Sequence, residues 1–226
     1  MASIRYLGHS CFEIELGGRI IITDPWLQLD YPEMPRLIPP AVSANAIRKA
    51  DLILVSHEHF DHCSAYDVET IVSRTSAHVL APAPAMALLN VPTRCKMQVE
   101  EGEEFSLFGV DVRVVKAVHP QSANPVGFVL SSGGESAYFA GDTYEYFGMS
   151  GISVDVALIP IGGSYTMDVL SAIKALKTMR AKKVVPMHFN TFQKIECNVT
   201  DFAARVKTAT RVEPLVLRVG ESISFK

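Results

Sequence analysis

The most informative pattern in this 226-residue chain is Asp51-Leu52-Ile53-Leu54-Val55-Ser56-His57-Glu58-His59-Phe60-Asp61-His62. Its apolar run, Leu52–Val55, is short and rich in β-branched residues, which is typical of a buried strand. The run leads directly into six residues that include three histidines, a glutamate and an aspartate. The stretch therefore predicts a buried strand whose carboxyl end carries a cluster of metal ligands.

The spacing within the cluster indicates how many metal ions it serves. His57 and His59 are two residues apart, so in extended chain their imidazoles point the same way. Asp61 and His62 begin the next turn and face a neighbouring point, which fits two adjacent ions better than one. The helical HExxH zinc motif is excluded, because the position three residues after Glu58 is Asp61 and not histidine.

Three further candidate ligands repeat this placement, because each follows an apolar run that reads as a strand. These are His119 after Val110–Val118, Asp142 after Ala137–Gly141, and His188 after Val184–Met187. In sheets covered by helices, ligands collect at the carboxyl ends of strands, so residues far apart in sequence can meet in space. The sequence therefore predicts one metal centre assembled from four segments.

Short apolar runs predict strands along most of the chain, and turns at Gly17-Gly18 and at residues 131–134 join neighbouring strands as hairpins. The expected strands are residues 4–7, 11–16, 19–23, 52–55, 78–81, 110–118, 127–130, 137–140, 154–159, 184–185 and 215–219. Helical patterns cover residues 44–49, 66–74, 167–179 and 199–208, with Ser64 as the N-cap of the second. Hairpins mixed with strand–helix units predict sheets sandwiched between helices.

The composition is that of an ordinary globular protein, with 48% hydrophobic and 20% charged residues. A chain of this size buries a large core without disulfide or metal staples. The 21 basic and 24 acidic side chains give a net charge of −3, and no basic cluster is present, which argues against a nucleic-acid partner. Without repeats or a linker, we expect a single domain over residues 1–226 and a small-molecule substrate; a homo-oligomer stays open.

The sequence also predicts where the protein resides. The first residues lack the apolar segment and the cleavage site of a secretory signal. The longest stretch without charged residues, Thr75–Thr93, contains three prolines, which break the apolar helix that a membrane span requires. Four scattered cysteines without a CxxC pair predict reduced thiols. We therefore expect a cytoplasmic protein with no integral membrane segment.

The HxHxDH run, together with His119, Gly141-Asp142-Thr143 and His188, resembles the metallo-β-lactamase superfamily. The likeness spans Gly8–His188. Gly8-His9-Ser10, Pro160-Ile161-Gly162-Gly163, Thr166-Met167 and Pro186-Met187-His188 are similar to motifs of small metal-dependent hydrolases akin to ascorbate-phosphate lactonases and N-acylphosphatidylethanolamine phospholipases. The resemblance implies an α/β (α+β) protein, a four-layer αβ/βα sandwich of two mixed β-sheets flanked by helices, with the metals at one edge.

The resemblance also implies a ligand set: His57, His59 and His119 on one ion, Asp61, His62 and His188 on a second, and Asp142 bridging. A carboxylate can span two cations roughly 3.5–4 Å apart, and imidazole suits zinc at about 2.0–2.1 Å. We expect two divalent ions, with zinc as the first choice and manganese, nickel, cobalt or iron as the other candidates.

The expected reaction is hydrolysis of a small ester or lactone by a metal-bound hydroxide, with Asp61 orienting the attacking water. A phosphodiesterase acting on a small phosphate ester stays open, because the same ion pair serves phosphoryl transfer. An iron-dependent oxidoreductase on the same scaffold is the alternative of another class. A structural zinc site needs only four ligands, so seven candidates argue against a non-catalytic role.

Other residues are candidates for supporting roles. His9 either protonates a leaving group or is a hydrogen-bonded turn histidine. Asp24 is expected to brace a ligand histidine through its ring N–H, and Glu58 to face away from its histidine neighbours. Thr143, Tyr165 and Thr166 are candidates for contacts beside the metals or to substrate, while Thr166 is alternatively the cap of the following helix. The segment Pro25–Pro40, with five prolines, predicts a loop that either overhangs the site or connects elements at the surface.

Overall fold

The computed structural model describes residues 2–29 and 34–226. In these residues the strands are β1 Ala2–Gly8, β2 Cys11–Leu16, β3 Arg19–Thr23, β4 Leu52–Leu54, β5 His78–Ala81, β6 Lys96–Gln98, β7 Glu104–Leu107, β8 Val110–Lys116, β9 Val126–Ser132, β10 Glu135–Phe139, β11 Ser153–Pro160, β12 Arg180–Met187, β13 Glu213–Pro214 and β14 Ser222–Phe225. The helices are α1 Ala65–Thr75, α2 Ala83–Ala87, α3 Val169–Thr178 and α4 Val199–Ala209.

The described strands form two mixed sheets of seven strands each. The first has the order β14-β1-β2-β3-β4-β5-β6 and the second the order β13-β12-β11-β10-β9-β8-β7. In each sheet an antiparallel half built from hairpins continues into a parallel half, β3 to β6 and β10 to β13. The two sheets and the helices form a four-layer sandwich, which confirms the predicted fold class.

The central strand β4 explains how the layers are held together. Leu52 and Leu54 belong to the core between the sheets, which includes Phe128 of the second sheet. Ile53, together with Val55 directly after the strand, points to the opposite face, and both pack in a separate cluster with α1. A strand buried on both faces reads as a continuous apolar run, which is why this segment was recognisable in the sequence.

Two helices begin at side-chain caps. The Ser64 hydroxyl accepts a hydrogen bond from the backbone N–H of Asp67, as the sequence predicts for α1. Asp168, and not Thr166, is the N-cap of α3, where it forms a capping box with Ser171. The alternative role of Thr166 as a helix cap was therefore wrong. None of the helices in the described ranges combines the length and the apolar character needed to cross a bilayer.

Some local predictions were wrong. Residues 44–49 contain only a short 3₁₀ turn, Ala44–Ala46, and residues 215–219 are not a strand. Leu215 donates to the carbonyl of Val184 in β12 and Gly220 to the carbonyl of Tyr6 in β1, so the segment between them passes from the second sheet to the first. The short elements α2, β6 and β7 had no sequence prediction, because three to five residues carry little periodicity.

The proline-rich segment is irregular in its described parts, residues 25–29 and 34–40, as predicted for a loop. Residues 30–33, including Pro32, lie outside the described residues. Trp26 is buried and forms a small apolar cluster with Phe192 and Ile195, against which Met34 packs. The described parts of this loop therefore lie against the segment that follows β12, next to the strand ends described below.

Candidate metal centre

The topology brings the candidate ligands to one edge of the sandwich. In the second sheet β8 and β10 both run antiparallel to β9, and β10, β11 and β12 are parallel. Strands β8, β10 and β12 therefore end at the same edge, where His119, Asp142 and His188 follow them. In the first sheet the parallel strands β3 and β4 are followed by Asp24 and His57.

Three histidines form a group that we call the first site: His57, His59 and His119. The Nδ1 atom of His59 lies 3.0 Å from Nε2 of His57 and 3.2 Å from Nε2 of His119. Tetrahedral zinc, with Zn–N bonds of about 2.0–2.1 Å, holds its ligand atoms about 3.3 Å apart. The spacing of these nitrogens therefore suits a single small ion.

A second group lies beside the first, and we call it the second site: Asp61, His62, Asp142 and His188. Oδ1 of Asp142 lies 3.3 Å from Nε2 of His62, and Oδ2 of Asp142 lies 3.2 Å from Nε2 of His188. One oxygen of Asp61 lies 3.7 Å from Nε2 of His188. Asp142 also lies 3.9 Å from Nε2 of His119, so its carboxylate stands between the two sites.

Several side-chain nitrogen and oxygen atoms of the second site are buried and have no hydrogen-bond partner in the described part of the chain. These atoms are His62 Nε2, His188 Nε2 and Asp142 Oδ1. Each buried polar atom without a partner costs about 1–3 kcal/mol, so native proteins rarely keep such groups together. A divalent cation would satisfy all three atoms at once. The donor set of both sites, imidazole nitrogen with carboxylate oxygen, therefore fits a pair of divalent transition metal ions.

The electrostatics of the two sites differ in a way that also suits cations. Burial, with a smaller contribution from His62, holds the pKa of His57 well below its ordinary value, so its imidazole is neutral and offers a lone pair. Burial also lowers the pKa of His188, but the carboxylates of Asp142 and Asp61 together outweigh this and raise the pKa to about 9. The second site therefore favours a positive charge, which a divalent ion supplies.

Asp24 orients ligands of both sites. One of its oxygens accepts hydrogen bonds from Nδ1 of His62 and from the hydroxyl of Ser56, both at 2.6 Å. The Ser56 oxygen in turn accepts from Nδ1 of His57 at 2.9 Å. With their Nδ1 atoms occupied in this way, both histidines direct an Nε2 lone pair toward the sites. Sequence reasoning missed Ser56, although its place between a buried strand and the first histidine was a usable signal.

A glycine allows the two sheets to approach each other at this point. Gly141, which precedes Asp142, has a φ of +58°, and a Cβ atom there would lie 2.5 Å from the Cβ of Ser56. Any other residue would push the end of β10 away from the end of β4. The close approach brings Asp142 to the ligands that follow β4.

His9 lies behind Asp61 at the second site. Its Nε2 is 3.2 Å from a carboxylate oxygen of Asp61, and its side chain is fully buried. Burial lowers the pKa of His9 to about 3, with a further contribution from His188, so the neutral ring donates Nε2–H to the carboxylate. His9 therefore fixes the orientation of Asp61.

Glu58 points away from the ligands, as its position in the sequence predicts, but it has a specific contact. Its carboxylate accepts hydrogen bonds from the Ser122 hydroxyl at 2.7 Å and from the backbone N–H of Ala123 at 2.8 Å. His59 Nε2 also lies 3.1 Å from the carbonyl oxygen of Gln121. Glu58 and His59 therefore both hold the loop that follows His119 in place.

A cavity of about 220 Å³ opens onto the ligands. Besides ligand side chains it is lined by Met34, Phe60, Gln121, Tyr165 and Phe192. Met34 belongs to the proline-rich segment, so this segment overhangs the site in its described part. Sequence reasoning missed Phe192, because an aromatic residue in a connecting loop carries no signal of where the loop lies.

The remaining candidates hold the site from outside. The Thr143 hydroxyl accepts from the backbone N–H of Val118 and so ties the end of β8 to the segment after β10. The carbonyl oxygen of Tyr165 lies 3.2 Å from His119 Nδ1, and its side chain lines the cavity. Thr166 is buried and does not line the cavity; its hydroxyl lies against the carbonyl of Met167.

Comparisons with known proteins agree with this fold. Residues 3–188 match the family model described as the beta-lactamase superfamily domain. A metal-dependent hydrolase of Thermofilum pendens is 34% identical over the full length of both chains, and one of Symbiobacterium thermophilum is 36% identical over 98% of this chain and 99% of that protein. The solved structure of a metallo hydrolase from Ignicoccus hospitalis has a TM-score of 0.80 and 30% identity, covering 100% of this chain and 99% of that one. The chain is a metal-dependent hydrolase that belongs to the beta-lactamase superfamily.

Proposed function

We propose that the chain hydrolyses a small neutral ester or lactone with the help of two divalent metal ions, zinc being the first choice. His57, His59 and His119 would hold one ion, Asp61, His62 and His188 the other, and Asp142 would bridge them. When bound, such a pair makes water nucleophilic at neutral pH and polarises the bond that is cut.

The lining of the cavity carries the choice of substrate. Among the described residues that form its wall there is no lysine or arginine, and the non-ligand wall is largely apolar and aromatic. Sites for phosphate esters commonly add arginine or lysine to bind the phosphate oxygens. A wall formed by Met34, Phe60 and Phe192 instead suits a neutral substrate with an apolar group. This observation favours an ester or lactone over a phosphodiester.

Two protein groups have further roles in this proposal. Asp61 lines the cavity and is held by His9, so its carboxylate is positioned to orient a water molecule toward the substrate. His9 itself is only 1% exposed and lies behind Asp61. That position supports a role in holding Asp61 and argues against proton donation to a leaving group, the other role that the sequence suggested.

We also propose that the protein resides in the cytoplasm. All four cysteines, Cys11, Cys63, Cys95 and Cys197, are free thiols. Free thiols persist in a reducing compartment, which supports the location expected from the sequence.

The test compares reactions and metals on one preparation. Protein stripped of metal is loaded with zinc, manganese or nickel, the bound metal is counted by mass spectrometry, and turnover is measured with a lactone panel, 4-nitrophenyl esters and bis(4-nitrophenyl) phosphate. We expect two ions per chain and chelator-sensitive turnover of lactones or esters with little cleavage of the phosphodiester. Preferential cleavage of the phosphodiester would overturn the choice of substrate, and one bound ion per chain would overturn the dinuclear centre.

A further inference from the structure

Arg36, in the described part of the proline-rich segment, forms no ion pair with any carboxylate of the described residues. Its Nη1 donates to the carbonyl of Trp26 at 2.7 Å and its Nε to the carbonyl of Ile38 at 3.2 Å, both uncharged partners. The third nitrogen, Nη2, is buried and has no hydrogen-bond partner among the described residues. A buried guanidinium nitrogen left without an acceptor is costly, so this group calls for an explanation.

Two described carboxylates whose charges act on Arg36 have partners of their own. Asp67 acts on Arg36 only at longer range, and one of its oxygens accepts from the backbone N–H of Leu27 at 2.8 Å. Asp61 likewise acts at longer range and lies against His9 in the metal centre. Neither carboxylate forms an ion pair with Arg36, so within the described residues its positive charge has no direct counter-charge.

Arg36 borders a cavity that is separate from the one above the ligands. This cavity, which we call the rear pocket, has a volume of about 270 Å³. Its wall includes Gly8, Arg36, Ile38, Phe189, Leu217 and Val219. Tyr6, His9, Thr191 and Arg218 complete the wall, so the pocket places the guanidinium of Arg36 and a few other polar groups around a largely apolar interior.

Gly8 shows that Nη2 adjoins the space of the pocket. A Cβ atom at Gly8 would lie 3.1 Å from Nη2 of Arg36 and 3.8 Å from Cγ2 of Val219, both of which belong to pocket-lining residues. The φ of Gly8 is +115°, a conformation that residues with side chains rarely adopt. The absence of a side chain at this position therefore lets the guanidinium pack against the backbone of Gly8 at the wall of the pocket.

The guanidinium is also held in place. Its central carbon lies 4.2 Å from the centre of the Trp26 ring, in a cation–π contact. At the mouth of the pocket, Arg218 is almost fully exposed and lies 3.5 Å from a carboxylate oxygen of Glu221, so this second arginine has a counter-charge of its own. The unpaired charge of the rear pocket is therefore that of Arg36.

We propose that the rear pocket binds a small organic carboxylate with an apolar body. The carboxylate pairs with the guanidinium of Arg36, and the body packs against Ile38, Phe189 and Leu217. This site is distinct from the metal centre and does not depend on the proposed reaction. His9 forms part of the wall between the two, with its Nε2 on Asp61, so an occupant of the rear pocket lies directly behind the second site.

The test uses the metal-loaded protein and two fluorinated probes of the same shape, 4-fluorobenzoate and the neutral 4-fluorobenzamide. Binding is followed by fluorine NMR titration. We expect saturable binding of the benzoate. The amide should bind at least about tenfold more weakly, because a charge-assisted hydrogen bond is lost. Arg36→Met should weaken benzoate binding by about tenfold or more. Arg211→Gln, which changes an exposed arginine elsewhere, should leave it unchanged.

Two additions keep the result unambiguous. Val219→Trp fills the pocket without altering the guanidinium and should abolish benzoate binding. This variant tests the pocket even if Arg36→Met does not fold. Acetohydroxamate, a chelating ligand for metal ions, should not displace the benzoate. The proposal is overturned if no saturable binding occurs, if the amide binds as well as the benzoate, if folded variants bind normally, or if acetohydroxamate displaces the probe.

Discussion

Nδ1 of His62 lies 2.6 Å from a carboxylate oxygen of Asp24, and both side chains are fully buried. The same oxygen accepts the hydroxyl of Ser56, whose oxygen accepts from His57. A single carboxylate therefore fixes one histidine of each site with its Nε2 available to a metal. The two sites are coupled through Asp24 as well as through Asp142.

Replacing Asp24 by asparagine should weaken metal binding at both sites. The amide keeps the shape but loses the charge that holds the His62 N–H directly and the His57 N–H through Ser56. Loss of such a partner typically costs about 10–100-fold in metal affinity. Competition with a chromophoric chelator measures the affinity. Asp111→Asn, at an exposed position of β8, is the matched control. Equal affinity in the two variants would contradict the role of Asp24.

Asp142→Ala should remove both the bridge and the turnover while the chain stays folded. The variant lacks the two oxygens that lie within 3.2–3.3 Å of His62 and His188. We expect fewer than two ions per chain by mass spectrometry and loss of chelator-sensitive hydrolysis, with an unchanged circular dichroism spectrum. Full metal content together with full activity would show that Asp142 is not a ligand.

The sequence predicted those parts of the site that follow strands, for a physical reason. His119, Asp142 and His188 each come directly after an apolar run, and parallel strands bring their carboxyl ends to one edge. Arg36, Phe192 and Ser122 could not be placed in the same way, because their positions depend on the paths of irregular loops. The path of such a loop depends on contacts distant in sequence, which no local periodicity records.

Glu58→Gln should loosen the loop after His119 and weaken metal binding at the first site. The carboxylate accepts two hydrogen bonds, from Ser122 and Ala123. The amide oxygen can still accept from Ala123, but the amide NH2 can only donate to the Ser122 hydroxyl, and both bonds lose the negative charge of the acceptor, so affinity should fall by about tenfold or less. The measurement is chelator competition, with exposed Glu15→Gln as the control. Unchanged affinity would mean that the loop keeps its position without Glu58.

Phe192→Ala should change which esters are accepted. The ring is 4% exposed, lines the cavity above the ligands and packs with Trp26. Its removal enlarges a cavity of about 220 Å³, so KM for esters with longer acyl chains should fall relative to KM for acetyl esters. A series of 4-nitrophenyl esters measures this ratio. A ratio equal to that of the unchanged protein would show that Phe192 does not limit the substrate.

Asp168→Ala should destabilise the fold without affecting the metal centre. The Asp168 carboxylate accepts from the backbone N–H and the hydroxyl of Ser171 at the start of α3, and loss of such a cap costs about 1 kcal/mol of the free energy of unfolding. In contrast, Asp201→Ala removes only an exposed ion pair with Arg205 within α4, which contributes about 0.3–0.5 kcal/mol.

Acid should erase the difference between the Asp168→Ala variant and the unchanged protein. The hydrogen bonds from the Ser171 hydroxyl and backbone N–H lower the pKa of Asp168, so folding favours its ionised form. A carboxyl group with a lowered pKa in the folded state stabilises the protein above its unfolded pKa, about 3.9, and that contribution disappears as the pH falls through the folded value. Urea unfolding at pH 7 and at successively lower pH measures the difference between the two proteins. A difference that stays constant down to the lowest pH at which both fold would show that the charge of Asp168 does not contribute to the cap.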